Sequence, residues 1–148
     1  MFLVRWIPRL VAILTLAAVL VLAAGPAGAA AGSIQVGPTA RLVALGVALD
    51  VPVTVSLTCD EGFDSGIVDV TVLQARGTAE VFGEGQSATF ACTGETQSLA
   101  VRVFASGGVF HGGPALANAV ALQCQGVGQN LTCSFTDIRV NRQITIRG

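Results

Sequence analysis

Four cysteines, one histidine and a scatter of carboxylates are the residues of this 148-residue chain with chemistry to offer. Cys59, Cys92, Cys124 and Cys133 form an even set, and in an exported chain such a set forms disulfides. Four cysteines allow three pairings. Cys124 and Cys133 are close in sequence and flank a turn, while Cys59 and Cys92 each end an inward-facing strand pattern. The expected bridges are therefore Cys59–Cys92 and Cys124–Cys133. A four-thiolate zinc site usually presents two close-spaced cysteine pairs, and the gaps here are far wider. His111 is the sole histidine. Ser65, Ser106 and Ser134 are nucleophiles on paper, but no nucleophile elbow or ordered Ser/Asp/His motif accompanies them.

The carboxylates are no more specific. Asp60, Glu61, Asp64 and Asp69 suggest calcium by density alone, yet Gly62 occupies the third position of that run, where a ligand belongs. A solvated acidic turn accounts for them better. Glu80 and Glu84 have the residue types of a glycosidase pair, but a linear sequence does not set their separation. Asn130-Leu131-Thr132 matches a glycosylation acceptor and is read as chance. No catalytic residue, metal site or cofactor is expected. The best candidate contact surface is Val109-Phe110-His111, at the tip of the glycine-rich segment 107–114, because binding residues concentrate on loops held by a rigid scaffold.

The elements that must hold these groups read as strands. In Val51–Cys59, Val51, Val53, Val55, Leu57 and Cys59 fall on one side and Thr54, Ser56 and Thr58 on the other, the period of two of a strand with one dry face. Similar alternation predicts strands near Thr39–Leu45, Ile67–Gln74, Ser87–Thr93 and Leu99–Ala105. Thr78–Phe82 reads as a short edge strand. Ala115–Cys124 reads as a strand with Leu116, Val120, Leu122 and Cys124 on its inward side. In the last strand, from Ile138 to Ile146, Arg142 offends the inward face, which predicts a bulge or an edge position. Gly32–Pro38 reads as an arm at best, and Asp60–Gly66 as a loop. Seven or eight short strands with glycine-rich turns and no convincing helix make an all-β sandwich or barrel.

Residues 1–31 read as a secretory signal peptide and 32–148 as one domain. Arg5 and Arg9 supply the positive start, Leu10–Ala24 the apolar core, and Ala27-Gly28-Ala29 a small-x-small cleavage site, with the cut expected after Ala29 and Ala31 as second choice. The apolar core is short of the ~20 residues that span a bilayer, so no membrane span is expected after cleavage. All eight basic residues are Arg. Without Arg5 and Arg9, six Arg stand against nine Asp plus Glu, a net charge of −3. A mildly acidic chain with no basic stripe lacks the footprint for nucleic acid and is disfavoured on anionic membrane surfaces.

In the order of its parts the chain resembles a group of small exported proteins from actinobacteria. The leader is followed by Val-Ser-Leu-Thr-Cys at 55–59, the valine strand at 68–72, Phe82-Gly83-Glu84-Gly85, Phe90-Ala91-Cys92-Thr93-Gly94, and a glycine-rich loop closing on Gly113-Pro114-Ala115. Cys124 and Cys133 and the ending Ile144-Thr145-Ile146-Arg147 complete the likeness. The resemblance implies an immunoglobulin-like sandwich with two disulfides and carries no established activity. More loosely, a small exported acidic sandwich with two disulfides is similar to the enediyne-binding apoproteins of neocarzinostatin type, although their cysteines enclose two short loops. The functional expectation is a secreted, non-enzymatic binding or cell-envelope module. Its partner is a protein, a glycan or a small molecule, the last implying a carrier with an apolar cleft beside 107–114 and Phe104 or Phe110.

Overall fold

The computed structural model describes residues 30–148. Of the leader expected over 1–31, residues 1–29 lie outside the described residues, and Ala31 already opens a strand. The chain runs through β1 (Ala31–Val36), β2 (Thr39–Val43), β3 (Ala48–Thr58), β4 (Ser65–Arg76), β5 (Ala79–Gln86), β6 (Phe90–Ala91), β7 (Gln97–Ser106), β8 (Gly113–Gln125) and β9 (Thr132–Arg147). Two 3-10 turns interrupt them, at Ala44–Gly46 and Gly128–Asn130.

The sheet closes on itself. Around the ring the order is β3, β2, β9, β8, β4, β5, β7 and back to β3, with β1 also on β3 and β6 on β4. Every pairing is antiparallel except β2 with β9. The all-β class with two disulfides is therefore present, and its architecture is barrel-like. Closure leaves few strand edges open, which is how all-β chains limit edge-to-edge aggregation.

β3 holds the ring together. Val51, Val53, Val55 and Leu57 are all buried, and the strand pairs with β1 and β2 along one edge and β7 along the other. Pro52 sits in its middle without breaking it. A proline has no N–H for a ladder and survives in sheets at edges and irregularities. Here the neighbouring strand is itself interrupted at Gly37-Pro38, where Gly37 N–H donates to the Pro52 carbonyl at 2.7 Å. A Cβ on Gly37 would come within 2.6 Å of the Pro52 ring.

Several strands differ from their sequence reading. The expected arm at Gly32–Pro38 is mostly β1, paired with β3 from Ala31↔Thr58 to Val36↔Val53. The expected edge strand at Thr78–Phe82 is β5, with β4 on one side and β7 on the other. Only Phe90–Ala91 is strand within Ser87–Thr93. β8 is turned over: Ala115, Ala117, Ala119 and Ala121 face the core, while Leu116 is exposed. The reason is closeness. β1 faces β8 with Cα atoms within 8 Å of it, nearer than the ~10 Å between ordinary packed sheets, and only the alanine face fits. The bulge of β9 lies at 136–138, opposite Ala121, rather than at Arg142. The buried Thr136 hydroxyl donates to the Ala121 carbonyl (2.7 Å) and accepts from Ile138 N–H (3.1 Å), satisfying the backbone there. Arg142 does keep an edge position, and its Nη1 donates to the Val36 carbonyl at 2.6 Å.

Candidate functional site

Loops 44–47 and 107–112 close one end of the barrel. Phe110, expected on a contact loop, is instead 1% exposed. It is the largest apolar side chain of the stretch between the glycines, and the flexible flanks let the loop fold it back as a plug. Its ring lies against Gly83, where a Cβ would come within 2.6 Å of Cζ, and its N–H donates to the Gly46 carbonyl at 2.8 Å. Gln74, buried on β4, ties the loop down. Its Oε1 accepts from His111 N–H (3.0 Å), and its Nε2 donates to the carbonyls of His111 (2.9 Å) and Pro114 (3.5 Å). A buried amide so satisfied stiffens the segment it holds. Val109 and His111 remain at the surface.

Just outside this plug, ladder registry sets apolar side chains next to one another. Leu116 is opposite Leu73, and Leu73 is opposite Phe82. Phe82 pairs with Ser106 and Glu84 with Phe104, so Phe104 is diagonal to Phe82. Directly opposed residues share a face with Cβ atoms about 5 Å apart, and diagonal ones about 7–8 Å. The four are exposed by 49%, 40%, 43% and 57% in the order Leu116, Leu73, Phe82, Phe104. Together they form an apolar belt across the outer face of β8, β4, β5 and β7, with a shallow cleft of about 340 Å³ between Leu73, Ala75, Pro114 and Leu116. Glu80 and Glu84 flank Phe82 at alternate positions of β5 and give the belt an acidic margin.

The belt continues onto the 44–47 turn. Val47 accepts a hydrogen bond from Ala105 N–H at 2.8 Å and is half exposed. Leu45 is 99% exposed. It and Ala44 both have left-handed backbone, φ 58° and 49°, a conformation that costs a side-chain-bearing residue about 1–2 kcal/mol. Strain of this kind, spent to hold a leucine in solvent, is found at functional surfaces. Contiguous exposed apolar surface has the same association.

The opposite end is built differently. Cys59 is bonded to Cys92 and Cys124 to Cys133, and the second pair sits directly opposed on β8 and β9. Ile67, Leu122 and Cys124 form a small second core on the outer face, covered by Leu131 and Cys133. A cleft of about 660 Å³ opens beside it, lined by Asp64, Ser65, Phe90, Val127 and Leu131 among others. Between the two ends, Arg102 forks onto Asp50 across β3 and β7 (Nε–Oδ1 2.9 Å, Nη2–Oδ2 3.1 Å), and Arg41 adds a contact at 3.3 Å. The Arg102 hydrogen bond is the main cause holding the Asp50 carboxyl below its ordinary range.

The other candidates do not assemble. Ser65 and Ser134 belong to the cysteine end, opposite Cys124 and Gln123, whereas His111 lies at the plugged end, and its hydrogen bonds run through its backbone. Asp60 is engaged with Gln123, and Asp69 stands across from Val120, away from the turn. Among the described residues, no three His, Cys, Asp or Glu side chains come together to hold a metal. The belt escaped sequence reading because its members come from four strands; Leu73, Phe82 and Leu116 become neighbours only through register.

No family model matches the chain, and no curated protein matches it. A solved structure that resembles it is AggA, the major subunit of aggregative adherence fimbriae type I from Escherichia coli. Identity is 11% and the TM-score 0.39, over 79% of this chain and 93% of that one. A likeness of that degree carries no functional weight.

Proposed function

We propose that the chain is an exported, non-enzymatic binding module of immunoglobulin-like topology, working in the medium or at the cell envelope. Its partner is a protein that offers an apolar surface to the belt. The belt itself carries this reading: Leu116, Leu73, Phe82 and Phe104 lie side by side in solvent, joined by a leucine on a strained turn. Such a surface has few hydrogen-bonding groups to offer a glycan and suits apolar side chains. The two disulfides support export, since they persist in oxidising compartments. The strand order supports the topology: β1-β3-β7-β5 and β4-β8-β9 follow the ABED and CFG sheets of that fold. The β2–β9 and β4–β5 ladders join the two into a ring.

The test compares the exported protein with its L73S/F82S/F104S variant, fluorescently labelled, on washed cells of the producing organism. The expected result is at least a tenfold rise in Kd with thermal unfolding little changed, since central apolar contacts each contribute more than about 1 kcal/mol to an interface. Equal binding by both proteins removes the belt as the contact surface. A hydrolytic activity without cell binding removes the module reading altogether.

A carrier role has one observation in its favour. The cleft of about 660 Å³ at the cysteine end falls within the roughly 300–1,000 Å³ of small-molecule sites. It lies far from the 107–114 loop, where Phe110 fills the space a ligand would take. Native mass spectrometry of protein from culture medium, showing a bound compound lost on Val127→Asp, is the expected result of that reading.

A further inference from the structure

Asp60 follows β3 at the cysteine end. Its N–H donates to Gln123 Oε1 at 2.9 Å and its Oδ2 accepts from Gln123 Nε2 at 2.7 Å. Its other oxygen, Oδ1, is shut off from solvent with no hydrogen-bond partner among the described residues. Buried polar atoms nearly always have one, so this oxygen calls for a donor. Asp60 lines a small cleft of about 170 Å³ with Ala30, Gln123, Phe135, Thr136 and Asp137. The Thr136 hydroxyl proton is already given to the Ala121 carbonyl. The β1–β3 register, continued one step past Ala31↔Thr58, brings Ala30 level with Cys59, the neighbour of Asp60.

The sequence holds a donor for this place. Ala27-Gly28-Ala29 is a small-x-small cleavage site, and a cut after Ala29 turns the Ala30 nitrogen from an amide into an amine. Water adds across the Ala29–Ala30 bond; the leader leaves as a carboxylate and the new amine takes up a proton. We propose that leader removal after Ala29 supplies the missing partner of Asp60: the α-ammonium of Ala30 docks against Oδ1 and completes the cysteine end. This rests on the export reading above. Strand geometry favours the same bond, because a cut after Ala31 would take away the residue paired with Thr58.

The charges facing the cleft favour a cation. Asp60 and Asp137 line it, and Glu61 adjoins Asp60 in the exposed turn. The cation on the facing strand, Arg139, is drawn to Asp137 at 3.9 Å. Pairing raises the amine above its ordinary pKa of about 7.7–8.0. The added stability is therefore complete below that range and lost as pH rises through the raised value.

The experiment uses the full chain with its own leader, recovered from the medium, as wild type, D60N, an insertion of Gly-Ser after Ala29, and the two combined. Intact mass should show a chain starting at Ala30. D60N should lower Tm by about 3–6 °C at pH 6.5. The loss should shrink above pH 9 and nearly vanish in the Gly-Ser background, where the ammonium is displaced. An equal D60N loss with and without the insertion overturns the docking while leaving export intact. A secreted chain starting elsewhere overturns the assigned bond, and a chain that keeps its leader overturns the export reading and the docking together.

Discussion

At one end of the barrel a single phenylalanine, held by a glutamine and backbone bonds, closes the interior; at the other, two disulfides and an Asp60–Gln123 clasp do so. The difference follows where apolar side chains are placed. Around the plugged end Leu73, Phe82, Phe104 and Leu116 face outward, so the closure falls to Phe110 and to Gln74, itself buried. At the cysteine end Ile67 and Leu122 are turned into a second small core and covalent links hold the connections. The end ringed by the four-strand belt is closed from within by packing, whereas the cysteine end, where Val127 and Phe135 stand exposed on separate elements, is tied by bonds.

Substituting the plug should have the largest effect on this contrast. Phe110→Ala leaves a cavity against Gly83 and should cost about 3–5 kcal/mol in urea unfolding, with faster amide exchange at His111 and Gly112 and little change near Cys124. A cost well under that range would mean that Gln74, rather than the ring, closes the end. Next come the bridges. Replacing Cys59 and Cys92, 33 residues apart, by serine should cost about 3–4 kcal/mol on the chain-entropy account, and the Cys124 and Cys133 pair, nine apart, about 2–3 kcal/mol. Reversal of that order would show that local packing, not loop closure, sets their worth.

Smallest is the ion cluster between the ends. Asp50→Asn should cost about 0.2–1 kcal/mol at pH 7 and less in high salt. The folded Asp50 carboxyl sits below its ordinary value because of Arg102. Its contribution is thus present above the unfolded pKa near 3.9 and lost as pH falls through the folded one. Wild type and variant should therefore converge in acid, once the pH has fallen through the folded value. A difference that persists there would point to packing of the Arg102 stem instead.

Much of the scaffold was legible in the chain. β3 shows its buried face by strict alternation, and the even set of cysteines at strand ends points to two bridges, which are present. The turn formers at Asp60–Gly66 and the glycines at 107–112 point to loops, and both are present, although Ser65 and Gly66 already belong to β4. The belt was not legible. Outward leucines and phenylalanines look incidental on separate strands, and the glycine-flanked Phe110 and His111 read as a contact loop, whereas the aromatic ring is inside.

By itself the sequence determines which residues alternate, where the chain turns and how many thiols can pair, since these depend on neighbours within a few positions. Only the tertiary structure decides which of two faces is inner. On β8 both faces are apolar, and the alanines turn inward because β1 passes too close for leucine. Register likewise belongs to the folded state: a shift of one residue between β4 and β5 would turn Phe82 away from Leu73, and the belt would not exist.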